Sequence, residues 1–175
     1  SYPIKYNNNM NAILVSSLPI IFMLHDFEEI IMMKPWIKKN EEYICRRFPK
    51  VGPKVASHIK NTSTEGFALC VAVLFFMLGA VSLFSLWENS YMLWMSLFMV
   101  FSIHVVVHII QWIVFRRYIP AIITSILCVP YCIYGVSQIV NVFAVSDIII
   151  YSLMTTVIVL ICLLLGHRYI AKLIK

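Results

Sequence analysis

The chain has 175 residues, 61% of them hydrophobic and 13% charged, with a mean hydropathy of +0.87 and a formal net charge of +6. That composition excludes a water-soluble globular core and leaves room for one compact bundle of membrane helices, spanning residues 1–175, with no second domain. The positive balance does not point to nucleic acid, because the basic residues lie in the gaps between apolar runs, where they read as topology signals and headgroup contacts.

Five apolar segments of membrane length follow one another, near 11–33, 66–87, 91–115, 121–140 and 147–167. Backbone satisfaction in lipid requires them to be helices, and no polar–apolar alternation argues for a barrel. No internal repeat is visible. The chain opens on Ser1 rather than Met, which predicts a trimmed or processed start. No cleavable signal peptide is expected, since the first apolar run is as long as a span.

The first segment is apolar from Ala12 to Leu24 and again from Ile30 to Met33, yet His25-Asp26-Phe27-Glu28-Glu29 interrupts it. A carboxylate at the centre of a span costs roughly 2.5–3.5 kcal/mol on translocon scales, so such a run demands a compensating partner. With His25 at the origin of a helical wheel, Glu28 lies at about −60° and Glu29 at about +40°. One face then presents an imidazole and two carboxylates, with Asp26 at its edge and no role assigned.

Residues 34–62 follow, carrying Lys34, Lys38, Lys39, Arg46, Arg47, Lys50, Lys54 and Lys60 against Glu41 and Glu42. Trp36, Ile37, Tyr43, Ile44 and Phe48 among those charges predict a short amphipathic helix on the membrane surface, broken by Pro49, Gly52 and Pro53. Arg116 and Arg117 follow the third span, and Arg168, Lys172 and Lys175 the fifth. The opposite loops carry Glu88 and Asp147 and no base. The positive-inside rule therefore places the N-terminus outside and the C-terminus in the cytoplasm, with Lys5 a small exception. Trp36 and Trp112 fall near the inner interface, and Trp87 and Trp94 near the outer one.

The third span contributes His104 and His108, one turn apart, with Gln111 on the same stripe. Two imidazoles at i,i+4 are a common grip on one metal ion. His25 lies about 12 Å, and His108 about 10 Å, from the inner end of its span, so the two spans bring their polar groups to matching depths. His167, closing the fifth span beside Arg168, is a further candidate ligand, although an interfacial role competes. His58 reads as solvated. Tyr134, Ser152, Thr155 and Thr156 read as packing and hydrogen-bonding residues. Cys45, Cys70, Cys128, Cys132 and Cys162 form no CxxC pair and read as reduced packing residues.

A site of imidazoles and carboxylates without sulfur suits Zn(II) first, with Fe(II) or Mn(II) as alternatives. Held by His25, Glu29, His104 and His108, with His167 as an extra ligand, one ion would resemble a hydrolytic zinc centre. In the inverted zincins, with H-x-x-E-H, the Glu between the ligands acts as base; here that place falls to Glu28, beside a metal-activated water. A carboxylate-bridged pair of ions would instead open di-iron-type oxygen chemistry, without the usual Glu-x-x-His repeats.

His25-x-x-Glu28-Glu29 in a first span, followed by intramembrane histidines, resembles the HXXEE-domain family of small bacterial membrane proteins, over most of the chain. The resemblance implies a site and no reaction. A weaker similarity, to glutamate-dependent intramembrane proteases of the CAAX type, rests on Glu28-Glu29 and His104. The arginine expected after the acidic pair is absent, and residue 33 is Met.

Together these readings predict a metal-dependent hydrolase of the bacterial cytoplasmic membrane, acting on a lipid or membrane-bound peptide at the inner leaflet. Alternatives are a di-iron-type oxidoreductase, an intramembrane protease, a metal- or proton-coupled transporter, and an assembly protein whose polar cluster only fixes helix register.

Overall fold

The computed structural model describes residues 10–173, with side chains described for 10–164. Among them are six helices and no strand: α1 (Ala12–Arg47), α2 (Gly52–Asn61), α3 (Thr64–Glu88), α4 (Met92–Phe115), α5 (Ile122–Val142) and α6 (Val145–Leu173). Four of these, α3 to α6, are long and apolar enough to cross a membrane. The protein is a helical membrane protein.

The helix ends follow local chemistry. Asn11 caps α1, its side chain accepting from the amides of Ile13 and Leu14 at 2.9 and 3.4 Å. Ser63 caps α3 through the Gly66 amide at 3.0 Å, with Glu65 in the first turn. Asn89 and Arg116 end α3 and α4 in the left-handed region, at φ 52° and 55°. Ala121 enters α5 at φ 67° and offers no capping side chain.

α1 packs against α2, α3, α4 and α5, and α4 against α5 and α6. The main core joins α1 and α4 through Val15, Leu18, Trp94, Met95 and Phe98, all fully buried. The Trp94 indole donates to the Val15 carbonyl at 3.2 Å, and the Tyr131 hydroxyl to the Leu14 carbonyl at 2.8 Å, so α4 and α5 both grip the first turns of α1. Gly135 lets α5 approach closely, because a Cβ there would fall on the Phe98 ring.

The expected surface helix of 34–62 is not what forms. Lys34 to Arg47 continue α1 without a break, making it 36 residues long, and only Gly52–Asn61 forms a separate helix. Of the apolar residues read as a surface stripe, Trp36, Ile37 and Ile44 are instead buried within the protein, and Tyr43 and Phe48 are half-buried. Trp36, Ile37 and Ile44 pack with Ala56, Ile119 and Ile122 in a second core. The turn that ends α1 does fall at Pro49, although α1 runs on through Pro19 and Pro35.

Polar contacts lock this second core to the end of α4. The Trp36 indole donates to the Tyr118 carbonyl at 2.7 Å, the Tyr43 hydroxyl to the Phe115 carbonyl at 2.8 Å, and Arg47 to the Val114 carbonyl at 3.2 Å. Two of these acceptors are last-turn carbonyls of α4, which lack partners within their own helix. Lys34 does the same for α2, donating to the carbonyls of Ile59 and Lys60 at 2.9 and 2.8 Å.

Candidate metal centre

The run His25 to Glu29 sits in mid-α1, where that helix is flanked by α3, α4 and α5. Residues three apart share a face and neighbours are turned by about 100°, so the run divides into two interleaved pairs. His25 and Glu28 face the start of α5. Asp26 and Glu29 face a cavity between α3, α4 and α6.

On the first face, His25 is completely buried and meets both histidines of α4, with ring centroids 5.2 Å from His104 and 5.2 Å from His108. His104 and His108 stand 4.4 Å apart, ring edge to ring face, with their Nε2 atoms 3.0 Å apart. One nitrogen from each of the three rings lies within 4.8 Å of the other two. Nε2 of His25 and Nδ1 of His108 are buried without a protein partner.

The other side of the His25 ring is held. Its Nδ1 lies 3.3 Å from the Thr124 hydroxyl, which itself lies 2.7 Å from Glu28 Oε2. A hydroxyl that gives its hydrogen to the carboxylate can only accept from the ring, so Nδ1 carries the proton and Nε2 keeps its lone pair. This is the arrangement by which an outer carboxylate orients a ligating imidazole.

Glu28 is not a carboxylate standing free. Oε1 accepts from the Tyr118 hydroxyl at 2.9 Å and the Ile123 amide at 3.4 Å, and Oε2 from the Thr124 amide at 2.8 Å and the Thr124 hydroxyl. The two amides open α5, so a side chain of α1 supplies the cap that Ala121 lacks and meets the positive end of the helix dipole. Burial, and then the carboxylate beside it, pushes the Tyr118 phenol up to about 12, so it stays a donor at neutral pH.

On the second face, one oxygen each of Asp26 and Glu29 and one nitrogen of His104 lie within 4.8 Å of one another. Asp26 is buried, and its Oδ1 has no hydrogen-bond partner. His104 therefore belongs to both groups and joins the two faces.

The structure thus brings together His25, His104 and His108, and sets Glu29 beside His104 in company with Asp26 rather than beside His25. Glu28, expected as the base, faces the α5 terminus. Gln111 is exposed, away from the cluster. The side chain of His167 lies outside the described residues. Asp26, Tyr118 and Thr124 had no assigned role in the sequence reading. One signal could have found the last two: α5 opens Ala121-Ile122-Ile123 with no acceptor of its own, so one must come from elsewhere.

The three-histidine group could hold a divalent transition metal. At bonds of about 2.0–2.1 Å, two tetrahedral nitrogen ligands stand roughly 3.3 Å apart, near the 3.0 Å between the α4 imidazoles. An unpartnered buried Nε2 on His25, with its tautomer set from behind, completes a donor set of the Zn, Fe or Mn type.

A family profile described as a protein of unknown function with an HXXEE motif matches residues 17–135. No curated protein and no solved structure matches the chain.

Proposed function

The chain belongs to the family of proteins with an HXXEE motif, and from that premise we propose that it is a metal-dependent hydrolase working within the membrane. His25, His104 and His108 hold the ion, and Glu29 stands with Asp26 on the neighbouring face beside His104. Such an ion supplies Lewis acidity to a carbonyl and acidity to a water. The observation that carries this reading is the unpartnered Nε2 of His25, buried against two imidazoles whose own Nε2 atoms are in contact.

The two acidic residues of the motif divide the work. Glu28 is a positioning residue: through Thr124 it fixes the His25 ring, and through the α5 amides it fixes the helix. Asp26 and Glu29 face the cavity beside His104, where they can take or hold a proton from a bound substrate or water. A base must be within reach of the cavity and keep lone pairs for the proton, and Glu28 meets neither condition here.

In this reading α1 crosses the membrane as a fifth span. Ile13, Ile20, Leu24, Phe27 and Ile31 form one exposed apolar stripe along it, which needs lipid to cover it. The long basic end of α1, with α2 and the α4–α5 turn, faces the cytoplasm of a bacterial cell under the positive-inside rule, with the N-terminus outside. The site then opens within the inner leaflet, where a lipid or membrane-bound peptide reaches it from the bilayer.

The test is purification without chelator, elemental analysis, and hydrolysis assays on lipid esters and peptides in nanodiscs. Loss of hydrolysis on chelation and its return with one of Zn(II), Mn(II) or Fe(II) is expected. Hydrolysis that survives complete metal removal would contradict the reading.

A further inference from the structure

A cavity of about 380 Å³ lies between α1, α3, α4 and α6. Its size is near the lower end of the roughly 300–1,000 Å³ of small-ligand pockets. Its walls are almost wholly apolar, with Phe22, Leu74, Leu78, Leu97, Val100 and Phe101 among them. Asp26, Glu29 and His104 make its polar end, and there the Asp26 Oδ1 is buried without a partner.

The cavity is directional. From Val107, one turn from His104 toward the basic end of the molecule, to Leu97 the lining runs about 15 Å along α4. On α3 it runs from Phe67 to Leu78, toward the same far end. The polar groups therefore lie on the basic side and the apolar depth extends away from it, as a chain does below a lipid headgroup. Met77, Ile103, Val107 and Leu160 line the cavity and are exposed, unlike Phe22, Leu78, Leu97 and Phe101 deeper in its wall. The cavity thus communicates sideways with whatever surrounds the helices.

We propose that this cavity binds one acyl chain carrying an uncharged ester head, with the ester carbonyl at the Asp26, Glu29 and His104 end. The volume suits one chain and not the pair on a phospholipid. No Lys or Arg lines the cavity to pair with a charged head, so a neutral ester enters in preference to a fatty-acid anion, whose charge would be buried without a partner. Beyond the polar end only the Thr156 hydroxyl, already bonded to the Ser152 carbonyl at 2.7 Å, interrupts the apolar wall, so a peptide backbone along the depth of the cavity would strand most of its amides. This narrows the substrate class of the proposed hydrolase and rests on that reading only for what happens to the bound ester.

The test uses a diazirine-bearing 1-palmitoylglycerol with the full chain in dioleoylphosphatidylcholine nanodiscs. Photolabel is expected on cavity residues such as Leu74, Leu78 and Val100, displaced by unlabelled 1-palmitoylglycerol and at least about fivefold less well by palmitate. Leu78→Trp and Val100→Trp are each expected to cut the labelling about fivefold with metal content unchanged. Competition on the unmodified protein decides the matter without relying on either variant's folding. Label spread over outward residues such as Phe76 and Leu83, or equal displacement by palmitate, overturns the proposal. Labelling that persists after chelation, with no hydrolysis under any metal, upholds the cavity and refutes the hydrolase; bound metal and hydrolysis without cavity labelling does the reverse.

Discussion

The Glu28 carboxylate, in the middle of α1, accepts a hydrogen bond from the backbone amide of Thr124 at 2.8 Å and so caps a helix that begins almost a hundred residues later. The Thr124 hydroxyl, bonded to the same oxygen, turns back toward the His25 ring. A single side chain therefore couples the seating of α5 to the orientation of a candidate metal ligand.

Removing that carboxylate leaves two α5 amides and the Tyr118 hydroxyl short of an acceptor. Glu28→Ala is expected to lower stability by about 1–3 kcal/mol, and Glu28→Gln, which keeps one acceptor oxygen, by less. Thermal unfolding in detergent measures both. If Glu28 ligates the metal directly, Glu28→Gln will also lose the ion; a capping and positioning role leaves it bound.

Thr124→Val keeps the amide and deletes the hydroxyl that joins Glu28 to His25. The expected effect is a loss of about 10–100-fold in metal affinity, the usual cost of removing an outer-shell partner, with little change in melting temperature. Thr124→Ser restores the hydroxyl and should recover most of the affinity. Competition with a metal-sensitive dye reads the difference.

Gly135 faces the fully buried Phe98 ring, which would have to shift to admit a Cβ. Gly135→Ala is expected to destabilise the protein by about 1–3 kcal/mol through overpacking. Gly135→Ala combined with Phe98→Leu should regain part of that loss. A double variant no better than Gly135→Ala alone would show that the close approach of α5 to α4 is not the cause.

Tyr118, outside the spans, keeps its proton to about pH 12 in the folded state, against about 10 for an unperturbed phenol. Above the unfolded value the unfolded chain releases the proton first, so the stability that Tyr118 contributes is fully present below pH about 10 and is lost as pH rises through 12. Tyr118→Phe should therefore remove part of the alkaline decline in stability. Denaturation at pH 8 and pH 11 on both proteins checks it; equal declines would contradict it.

Much of this arrangement can be read from the chain. Hydropathy locates α3 to α6 to within a few residues, because long apolar runs in lipid have few alternatives to a helix. The i,i+4 spacing of His104 and His108, and the shared depth with His25, anticipate the meeting of α1 and α4. The wheel could not say which neighbours each face of α1 would meet. It therefore paired Glu29 with His25, whereas α5 lies beside His25 and Glu28, and the cavity beside Asp26 and Glu29. The extension of α1 to Arg47 was hidden for a related reason: an apolar stripe among charges reads the same whether lipid or another part of the protein covers it.

A single metal site at His25, His104 and His108 is tested most directly by the metal content of the purified protein and of the His104→Ala, His108→Ala double variant, measured by elemental mass spectrometry on samples with matching elution profiles. About one equivalent of a divalent transition metal per chain in the first, and less than about a tenth in the second, is the result expected of three imidazoles closing on one ion. No metal in the unmodified protein, or the same content in both, would contradict it.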